Sequence, residues 1–439
     1  MDVMKYLEEF SLVDCPCGRA HKTRVKKIIS ESGAINKLPT LVKEYGGHKV
    51  FILADKNTFK AGGEKAVQLL ENSGITCSSY VFTKERLEPD EQTVGSAIMH
   101  FDNSVDVIVA VGSGVINDVA KILCNLTGKP YFIVATAPSM DGYASDTSSM
   151  IRDGVKVSID SKCAEVIIGD VDVLKNAPEK MLYAGLGDVL AKYVSLAEWQ
   201  IAKEITGEYY CERVLGLVRT ALNRVVDNAK GLINRDEVAV KAVFDGLVLS
   251  GVAMAFAGVS RPASGVEHYL SHVWDMRSLE FGTNMDLHGI QCGIATYYVA
   301  GVYEKLIKET PDISKAIDYV KAFDYNEWAQ KLYGFLGKVS DTMVALEKKE
   351  GKYDVDKHSK RIKTIVEKWE TLKKFMAEIP SKEKIGQILD TVLAPKTMEE
   401  VGIDADLSLT VKATKDIRNK YVLSHLLWDL GLIDEYFPE

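Results

Sequence analysis

The sequence predicts an α/β domain with a parallel β-sheet, followed by an all-helical domain. Over residues 1–175, short apolar runs alternate with stretches of helical pattern, as expected for strands joined by crossover helices. From residue 176, apolar residues recur at helical spacing and strand candidates become rare. The chain has 439 residues, 46% of them hydrophobic, which suits two domains with ample core material. We therefore place the domains at 1–175 and 176–439.

Five apolar runs in the first domain are the strand candidates. They are rich in Val and Ile and apolar on both faces, a pattern typical of parallel strands covered on both sides. In chain order they are residues 48–55, 78–83, 105–114, 130–138 and 164–174. The helical patterns "GGEKAVQLLENSG" and "INDVAKILCNLTG" lie between them.

The second domain begins with "APEKMLYAGLGDVLAKYVSLAEWQIAKE", in which apolar residues keep helical spacing over a long span. Helical patterns continue to the C-terminus. The highly charged region 345–375 is interpreted as a solvated helical face with a loop.

Charge and composition exclude several classes of partner. The formal net charge is -8 and no basic block occurs, so nucleic acid and anionic membranes are poor partners. No secretory pattern opens the sequence, and no apolar run reaches the ~18 residues of a membrane span. Seven cysteines, an odd number, indicate free thiols in a reducing compartment. We expect a cytoplasmic protein.

The stretch "AVGSGVINDVAK" follows a strand candidate and opens a helix. Gly112 and Gly114 allow a tight turn in which backbone N–H groups approach a phosphate at the positive end of the helix. Asn117 and Asp118 lie in the first helical turn, where they would contact a nucleotide or cap the helix. The third glycine of the dinucleotide motif GxGxxG is absent, so a plain strand–turn–helix stays an alternative.

Two further strand exits carry polar residues. Asp55 ends "HKVFILAD", where an acid accepts hydrogen bonds from adenosine ribose or caps the next helix. Its neighbour Lys56 would tolerate a 2′-phosphate, so the sequence leaves NAD and NADP open. Thr136, Ser139, Asp141 and Ser145 follow the strand 130–138 in "TAPSMDGYAS". Ligands collect at this edge of open α/β sheets, with a plain polar loop as the alternative.

Candidates for a metal site lie in the helical half. His268 and His272 are four residues apart on one helical face, and His288 precedes a helix of small residues. Asp188 and Lys192, also four apart, lie near a helix start. One Asp and two His make a three-ligand catalytic site with a position open for substrate. Each histidine taken alone also fits a packed or surface residue.

A second group of metal-ligand types, in "DCPCGRAHK", is less easily assigned. Cys15, Cys17 and His21 offer thiolates and an imidazole, but the cysteines are one residue apart and no second pair follows. A structural zinc site would usually show wider spacing and more ligands. A structural or helix-capping segment is therefore favoured, with zinc, a redox role or a dimer role as alternatives.

Taken in order, "GSGVINDVAK", "TAPSMDGYAS", "AGLGDVLAKY", "SRPASGVEHYLSH" and "LHGIQCGIA" resemble the glycerol-1-phosphate dehydrogenases. The sequence is most similar to their bacterial, AraM-like branch, from about residue 14 to the C-terminus. The wider superfamily includes glycerol dehydrogenase, iron-type alcohol dehydrogenases and dehydroquinate synthase. The resemblance implies a Rossmann-like domain, a helical domain of the dehydroquinate synthase type, a bound NAD(P) and one divalent metal, zinc or nickel.

The resemblance also assigns residues by motif position. It implies metal ligation by Asp188, His268 and His288, and contact with substrate by Asp141, Asp188 and His272. Asp55 would lie near the adenosine ribose. The remaining dinucleotide contacts would come from Gly112, Gly114, Val115, Ile116, Asn117, Asp118, Thr136, Ser139 and Ser145.

The implied reaction is reversible reduction of dihydroxyacetone phosphate to sn-glycerol 1-phosphate. The metal would polarise the carbonyl, and His272 or a water relayed by Asp141 would supply the proton. Lys192 and Arg261 are the candidates for the substrate phosphate, with an ordinary charge pair as the alternative for each. A small-polyol dehydrogenase, a dehydroquinate synthase-like cyclase and a non-catalytic binding protein are the other hypotheses. A homo-oligomer is expected, with a homodimer favoured.

Overall fold

A six-stranded parallel β-sheet forms the centre of the first of two compact units in the computed structural model, which describes residues 3–11 and 14–438. The strand order is β1-β8-β5-β4-β2-β3, and β6 and β7 form a separate antiparallel hairpin. The strands are β1 Lys27–Glu31, β2 Lys49–Asp55, β3 Thr76–Phe82, β4 Val107–Gly112, β5 Tyr131–Ala135, β6 Thr147–Arg152, β7 Val155–Asp160 and β8 Val166–Asp170.

Helices fill most of the remaining chain. The α-helices are α1 Val3–Ser11, α2 Leu38–Glu44, α3 Lys56–Thr58, α4 Glu64–Asn72, α5 Glu91–Met99, α6 Gly114–Thr127, α7 Val171–Leu174, α8 Glu179–Leu190, α9 Lys192–Thr206, α10 Glu212–Asn228, α11 Glu237–Ala257, α12 Val266–Phe281, α13 His288–Leu306, α14 Ile313–Ala322, α15 Tyr325–Leu336, α16 Ser340–Glu350, α17 Val355–Met376, α18 Lys382–Asp390, α19 Leu407–Ile417, α20 Leu423–Asp429 and α21 Ile433–Tyr436. A π-helical segment, Phe59–Gly63, joins α3 to α4. Short 3₁₀ helices are Ala34–Lys37, Gly142–Ala144, Ala229–Asn234, Gly337–Val339 and Glu399–Val401.

The predicted architecture, a parallel sheet followed by a largely helical region, is confirmed. Every residue of β4, β5 and β8 is buried, which explains why these strands are apolar on both faces. Gly169 in β8 lies against Phe244 of α11, because a Cβ at Gly169 would be 2.1 Å from Cε1 of that ring. The sheet therefore supports α11 directly.

The chain contributes two separate segments to each compact unit. The first unit contains Met1–Val189 and Gly216–Val259, and the second contains Leu190–Leu215 and Ser260–Glu439. In the second unit, α12 packs on α13 and α19, and α9 packs on α17. The division into a dinucleotide-binding domain at 1–175 and a metal- and substrate-binding domain at 176–439 stays a prediction. By contacts, α10 and α11 group largely with the sheet.

Helix α11 alone, among the described helices, has the length and apolar composition of a membrane span. In its most apolar 18-residue window, 78% of the residues are buried within the folded chain. This burial is what a core helix of a folded unit shows.

Candidate active-site residues

The turn between β4 and α6 has the backbone shape that the sequence predicts. A Cβ at Gly112 would lie 2.6 Å from Cβ of Ile116, so the tight turn requires a glycine. Gly114 and Val115 are half-buried at the start of α6, and Ile116 is buried behind them. No described side chain caps this helix. Its first N–H groups therefore suit an anion such as a phosphate.

Asn117 and Asp118 hold neighbouring segments in place. The Asn117 amide donates to Gly142 O at 3.1 Å and accepts from the Tyr131 hydroxyl at 2.9 Å, in a fully buried position. Asp118 accepts from Lys121 Nζ at 3.3 Å and from Ser149 N at 3.3 Å. Burial raises the pKa of Asp118. These contacts position the 136–145 loop and the β6–β7 hairpin, and a direct dinucleotide contact by either residue stays a prediction.

The 136–145 loop runs beside the β4–α6 turn because β4 and β5 pair up to Gly112 and Ala135. Thr136 N donates to Gly112 O at 3.1 Å, and the hydroxyls of Ser113 and Ser139 are 2.6 Å apart. Ser145 instead shares a 3.0 Å hydrogen bond with the Thr147 hydroxyl at the hairpin. These hydrogen bonds connect Thr136 and Ser139 to the turn, whereas the hydrogen bond of Ser145 is made with the hairpin.

Asp55 is an N-cap. Its Oδ1 accepts from the backbone N–H groups of Asn57 at 2.7 Å and Thr58 at 3.0 Å. The Thr58 hydroxyl accepts from Asp55 N in return, which completes a capping box. The capping alternative is therefore confirmed, and the ribose contact stays a prediction that would fall to Oδ2.

Asp141 and Asp188 are joined directly within the first unit. Asp141 N donates to Asp188 Oδ2 at 2.9 Å, and the Ser250 hydroxyl of α11 donates to Asp141 Oδ2 at 2.8 Å. Asp188 is fully buried. It lies near the end of α8, whereas Lys192 begins α9, because the helical pattern is interrupted at Ala191. The expectation that both residues sit near one helix start is therefore corrected.

Two glycines allow this close approach. A Cβ at Gly185 of α8 would lie 1.9 Å from Pro138 O. A Cβ at Gly251 of α11 would lie 2.6 Å from Asp141 O. Helices α8 and α11 thus contact the backbone of the 136–145 loop, which fixes Asp141. Neither glycine is distinguishable in the sequence from an ordinary small helical residue.

Three imidazoles and a thiol gather in the second unit. The ring centroids of His268 and His288 are 5.0 Å apart, and those of His272 and His288 are 5.6 Å apart. One possible ligand atom from each of His268, His288 and Cys292 lies within 4.8 Å of the others. The i, i+4 spacing predicts the pair on α12. His288 of α13 was also a candidate from the sequence, although no local spacing connects it with α12.

Neighbouring side chains orient these rings. His268 Nδ1 lies 2.8 Å from Glu267 Oε1, and His288 Nδ1 lies 2.8 Å from the Ser271 hydroxyl. A buried carboxylate at Nδ1 favours the tautomer with the proton on Nδ1 and the lone pair on Nε2. In this tautomer, His268 could bind a metal through Nε2, and its role as a ligand stays a prediction.

Cys292 is a member of this cluster that the sequence analysis missed. Its Sγ lies 3.5 Å from His288 Nε2. Burial opposes ionisation of the thiol, but His268 and His288 outweigh it and lower the pKa of Cys292. The signal was present, since Cys292 follows His288 by four residues on one helix.

The two predicted phosphate-binding cations have defined partners in the second unit. Lys192 is buried and donates to Ala263 O at 2.9 Å. Arg261 is also buried; it makes two hydrogen bonds to Glu208, at 2.5 and 2.6 Å, and one to Tyr421 O at 2.9 Å. These contacts favour the charge-pair alternative for Arg261.

Lys420 is a cation that the sequence analysis did not single out. Its Nζ donates to Ser264 O at 3.0 Å, on the carbonyl next to the one that Lys192 contacts. Desolvation, and then the charges of Arg261 and Arg418, lower the pKa of Lys420 well below its usual range. An anion beside the 260–265 loop would relieve this repulsion.

Sequence comparisons identify relatives that share most of this chain. The family model described as iron-containing alcohol dehydrogenase matches residues 29–178. A glycerol-1-phosphate dehydrogenase [NAD(P)+] from Halalkalibacterium halodurans is 35% identical over 295 residues, which are 66% of this chain and 74% of that protein. A protein of the same name from Methanosarcina mazei is 31% identical over 266 residues, 61% of this chain and 73% of the other.

Solved structures share the fold. Glycerol dehydrogenase from Schizosaccharomyces pombe superposes with a TM-score of 0.61 at 16% identity, covering 94% of this chain and 89% of that one. Maleylacetate reductase from a Rhizobium strain gives 0.59 at 12% identity, covering 94% and 97%. At such identities the likeness concerns the fold alone.

Proposed function

The chain belongs to the glycerol-1-phosphate dehydrogenase family, and we propose that it reduces dihydroxyacetone phosphate to sn-glycerol 1-phosphate, reversibly, with NAD(P)H. The observation that carries this proposal is the histidine cluster of the second unit. There, Glu267 presets the tautomer of His268, and a second imidazole and a thiol lie within ligand distance of it. Such a group can hold a divalent metal, which acts as a Lewis acid on a carbonyl that is being reduced.

We propose Asp188, His268 and His288 as the metal ligands. A carboxylate and two imidazoles suit both zinc and nickel, and this donor set does not select between them. Within the first unit, Asp188 is fully buried and accepts a hydrogen bond from Asp141 N, which holds its carboxylate in place for a ligand role. When bound, the metal would act as a Lewis acid on the carbonyl oxygen.

The dinucleotide is assigned to the first unit. The N-terminus of α6, with Gly112 and Gly114, would receive the pyrophosphate, and Asp55 would meet the adenosine ribose. Thr136 and Ser139 would line the same edge of the sheet. When bound, NAD(P)H would supply the hydride.

Proton transfer is assigned to side chains of this protein. His272, half-buried and stacked 5.6 Å from His288, is of the residue type that exchanges protons near neutral pH. In the first unit, the Ser250 hydroxyl orients the Asp141 carboxylate, which would relay a proton through water. Either route neutralises the alkoxide that develops as the carbonyl is reduced.

The substrate phosphate is assigned to Lys192 and Lys420. Both amino groups contact adjacent carbonyls of the 260–265 loop, at Ala263 and Ser264. Arg261 would act at longer range, because Glu208 and Tyr421 already engage its donors. Because Arg261 is occupied in this way, a second candidate function is a small-polyol dehydrogenase, whose unphosphorylated substrate needs fewer cations.

The test is an assay of NADH and NADPH oxidation with dihydroxyacetone phosphate and, separately, with dihydroxyacetone. The proposal expects at least about tenfold higher kcat/KM for the phosphorylated substrate, since a charged contact contributes about 1.5–3 kcal/mol. Equal values would favour the polyol dehydrogenase. Product formation without net oxidation of NADH would indicate a cyclase of the dehydroquinate synthase type. Full activity after complete metal removal would overturn the proposed mechanism.

The His268→Ala variant tests the ligand assignment. It should lose turnover and the metal of the histidine cluster, whereas His100→Ala, at an exposed position of the first unit, should keep both. From the family resemblance, we also propose that the protein is a homodimer and that it is cytoplasmic. Size-exclusion chromatography with light scattering would measure the oligomeric state.

A further inference from the structure

We propose that Cys15, Cys17 and His21 bind a structural Zn²⁺ ion in the first unit, separate from the histidine cluster of the second. One possible ligand atom of each residue lies within 4.8 Å of the other two. Two thiolates and an imidazole are the donors that zinc takes in structural sites. This inference does not rest on the proposed function.

The backbone explains how two cysteines only one residue apart reach the same point. Gly18 N donates to Cys15 O at 2.9 Å, which closes a turn over Cys-Pro-Cys-Gly. Pro16 fixes the second position of that turn, and Gly18 adopts a φ of 77° that favours glycine. The absence of the wider C-x-x-C spacing counts against a zinc site in the sequence, but this turn brings the two thiols together without it.

The distance between the Cys17 thiol and the His21 ring nitrogen matches a zinc site. Cys17 Sγ lies 3.5 Å from His21 Nε2. With Zn–S of about 2.3 Å, Zn–N of about 2.05 Å and a tetrahedral angle, the two donors of a zinc ion should be about 3.6 Å apart. The side chains therefore need little movement to bind the ion.

The tautomer of His21 is also set for this role. His21 Nδ1 lies 2.9 Å from Phe256 O, and a carbonyl oxygen can only accept, so Nδ1 carries the proton. The lone pair then resides on Nε2, the atom that faces Cys17. The ring is 4% exposed and lies between Phe10 and Phe256, with centroids 5.5 and 5.7 Å away.

The ion would fasten the N-terminal segment to α11. His21 contacts the C-terminal turn of α11 at Phe256, and Arg19 Nη1 donates to Ala257 O at 2.8 Å. Residues 14–26 form no regular helix or strand, so few backbone hydrogen bonds hold them. A fourth donor, such as a further thiolate, would complete the tetrahedral coordination of a structural zinc site.

The simpler alternative is a thiol–imidazole hydrogen bond without metal, and metal content separates the two. In the His268→Ala background, which lacks the proposed catalytic ligand, purified full-length protein should retain about one zinc per chain by mass spectrometry of metals. Adding Cys15→Ser and Cys17→Ser should remove that zinc. Cys77→Ser, which changes a half-buried cysteine of the same unit, should not. Zinc content unchanged by the double substitution would overturn the proposal.

A second measurement uses the wild-type chain and depends on no variant. Iodoacetamide labelling followed by peptide mass spectrometry compares Cys15 and Cys17 in zinc-loaded and chelator-treated protein. Because zinc-bound thiolate is shielded, labelling of both should accelerate at least about tenfold after chelation. Labelling of Cys77 should not change. Equal rates for Cys15 and Cys17 before and after chelation would refute the site.

Discussion

His268 Nδ1 lies 2.8 Å from Oε1 of Glu267, the residue directly before it in the chain. The side chains of consecutive residues in a regular helix point in directions about 100° apart, so such neighbours seldom contact each other. Here the contact occurs in the first turn of α12, where the Glu267 side chain folds back toward the start of the helix. The same oxygen accepts from Gly265 N at 2.7 Å. One buried carboxylate oxygen therefore contacts both the backbone at the start of α12 and Nδ1 of His268, whose tautomer it sets.

Glu267→Gln should weaken metal binding about 10- to 100-fold, because an amide is a poorer partner for the Nδ1 proton of His268. The dissociation constant is measured by competition with a coloured chelator. Glu280→Gln, near the far end of the same helix, is the matched control and should bind metal like wild type. Unchanged affinity in Glu267→Gln would contradict the orienting role.

Asp55→Asn separates the two roles of this residue. An asparagine still caps α3 through its side-chain oxygen, so the unfolding free energy should change by less than about 0.5 kcal/mol. Loss of the negative charge should raise the NADPH-to-NADH ratio of kcat/KM about tenfold, if the carboxylate meets the ribose. Asp55→Ala, which also removes the cap, should lose about 1 kcal/mol of stability. An unchanged cofactor ratio in both variants would leave Asp55 as a cap only.

Gly185→Ala should distort the Asp141–Asp188 contact, since the new Cβ would lie 1.9 Å from Pro138 O. Moving the 136–145 loop or α8 to relieve this overlap should cost about 1–3 kcal/mol of stability. It should also lower kcat at least about tenfold through misplacement of Asp188. Gly216→Ala in α10, where a Cβ meets nothing within 4 Å, is the control and should be neutral or slightly stabilising. Wild-type kcat in Gly185→Ala would remove Asp188 from the proposed ligand set.

Glu198→Gln tests a pH dependence. Glu198 is buried, and its oxygens accept from Leu423 N at 2.8 Å, Tyr303 OH at 3.0 Å and Val266 N at 2.9 Å. Burial, and then the charge of Glu267, raises the pKa of Glu198. The folded protein thus keeps a proton that the unfolded chain releases above its ordinary carboxyl pKa of about 4.3.

Because folded Glu198 keeps its proton in that window, its contribution to the stability of the folded state should fall as the pH rises from 5 to 7. Glutamine does not titrate, so the stability of wild type relative to Glu198→Gln should decrease by at least about 1 kcal/mol over this range. Urea unfolding of the metal-free proteins at the two pH values gives the difference. A constant difference would mean that Glu198 is ionised throughout.

Three of the five strands that the sequence predicts are completely buried, and a fourth, β2, is buried except at its two end residues. Strands β4, β5 and β8 are covered on both faces, so their composition alone marks them. Strand β1, "KIISE", is an edge strand with half-buried residues, and the β6–β7 hairpin is polar, so neither gives that signal. The sequence analysis missed all three.

The candidate site divides in the same way. Spacing predicts His268 and His272 on one helix, and strand exits predict the position of Ser139. Sequence periodicity does not predict the partners that orient the site residues. Ser250, for example, orients Asp141, but the two are 109 residues apart in sequence and meet only through the packing of α11. The hydrogen bonds of Arg261 likewise depend on Glu208 and Tyr421, which no local sequence pattern connects with it.

The first compact unit is discontinuous, with Gly216–Val259 returning to it after Leu190–Leu215 has joined the second. During synthesis the sheet emerges long before α11, whose Phe244 covers Gly169 of β8. A nascent chain that has reached residue 215 therefore carries a sheet with one face still lacking this helix, and a hydrophobic surface exposed to chaperones or to other chains. Expression of residues 1–189 alone would recreate that intermediate permanently, so a soluble sheet domain requires the 216–259 segment to be fused to it.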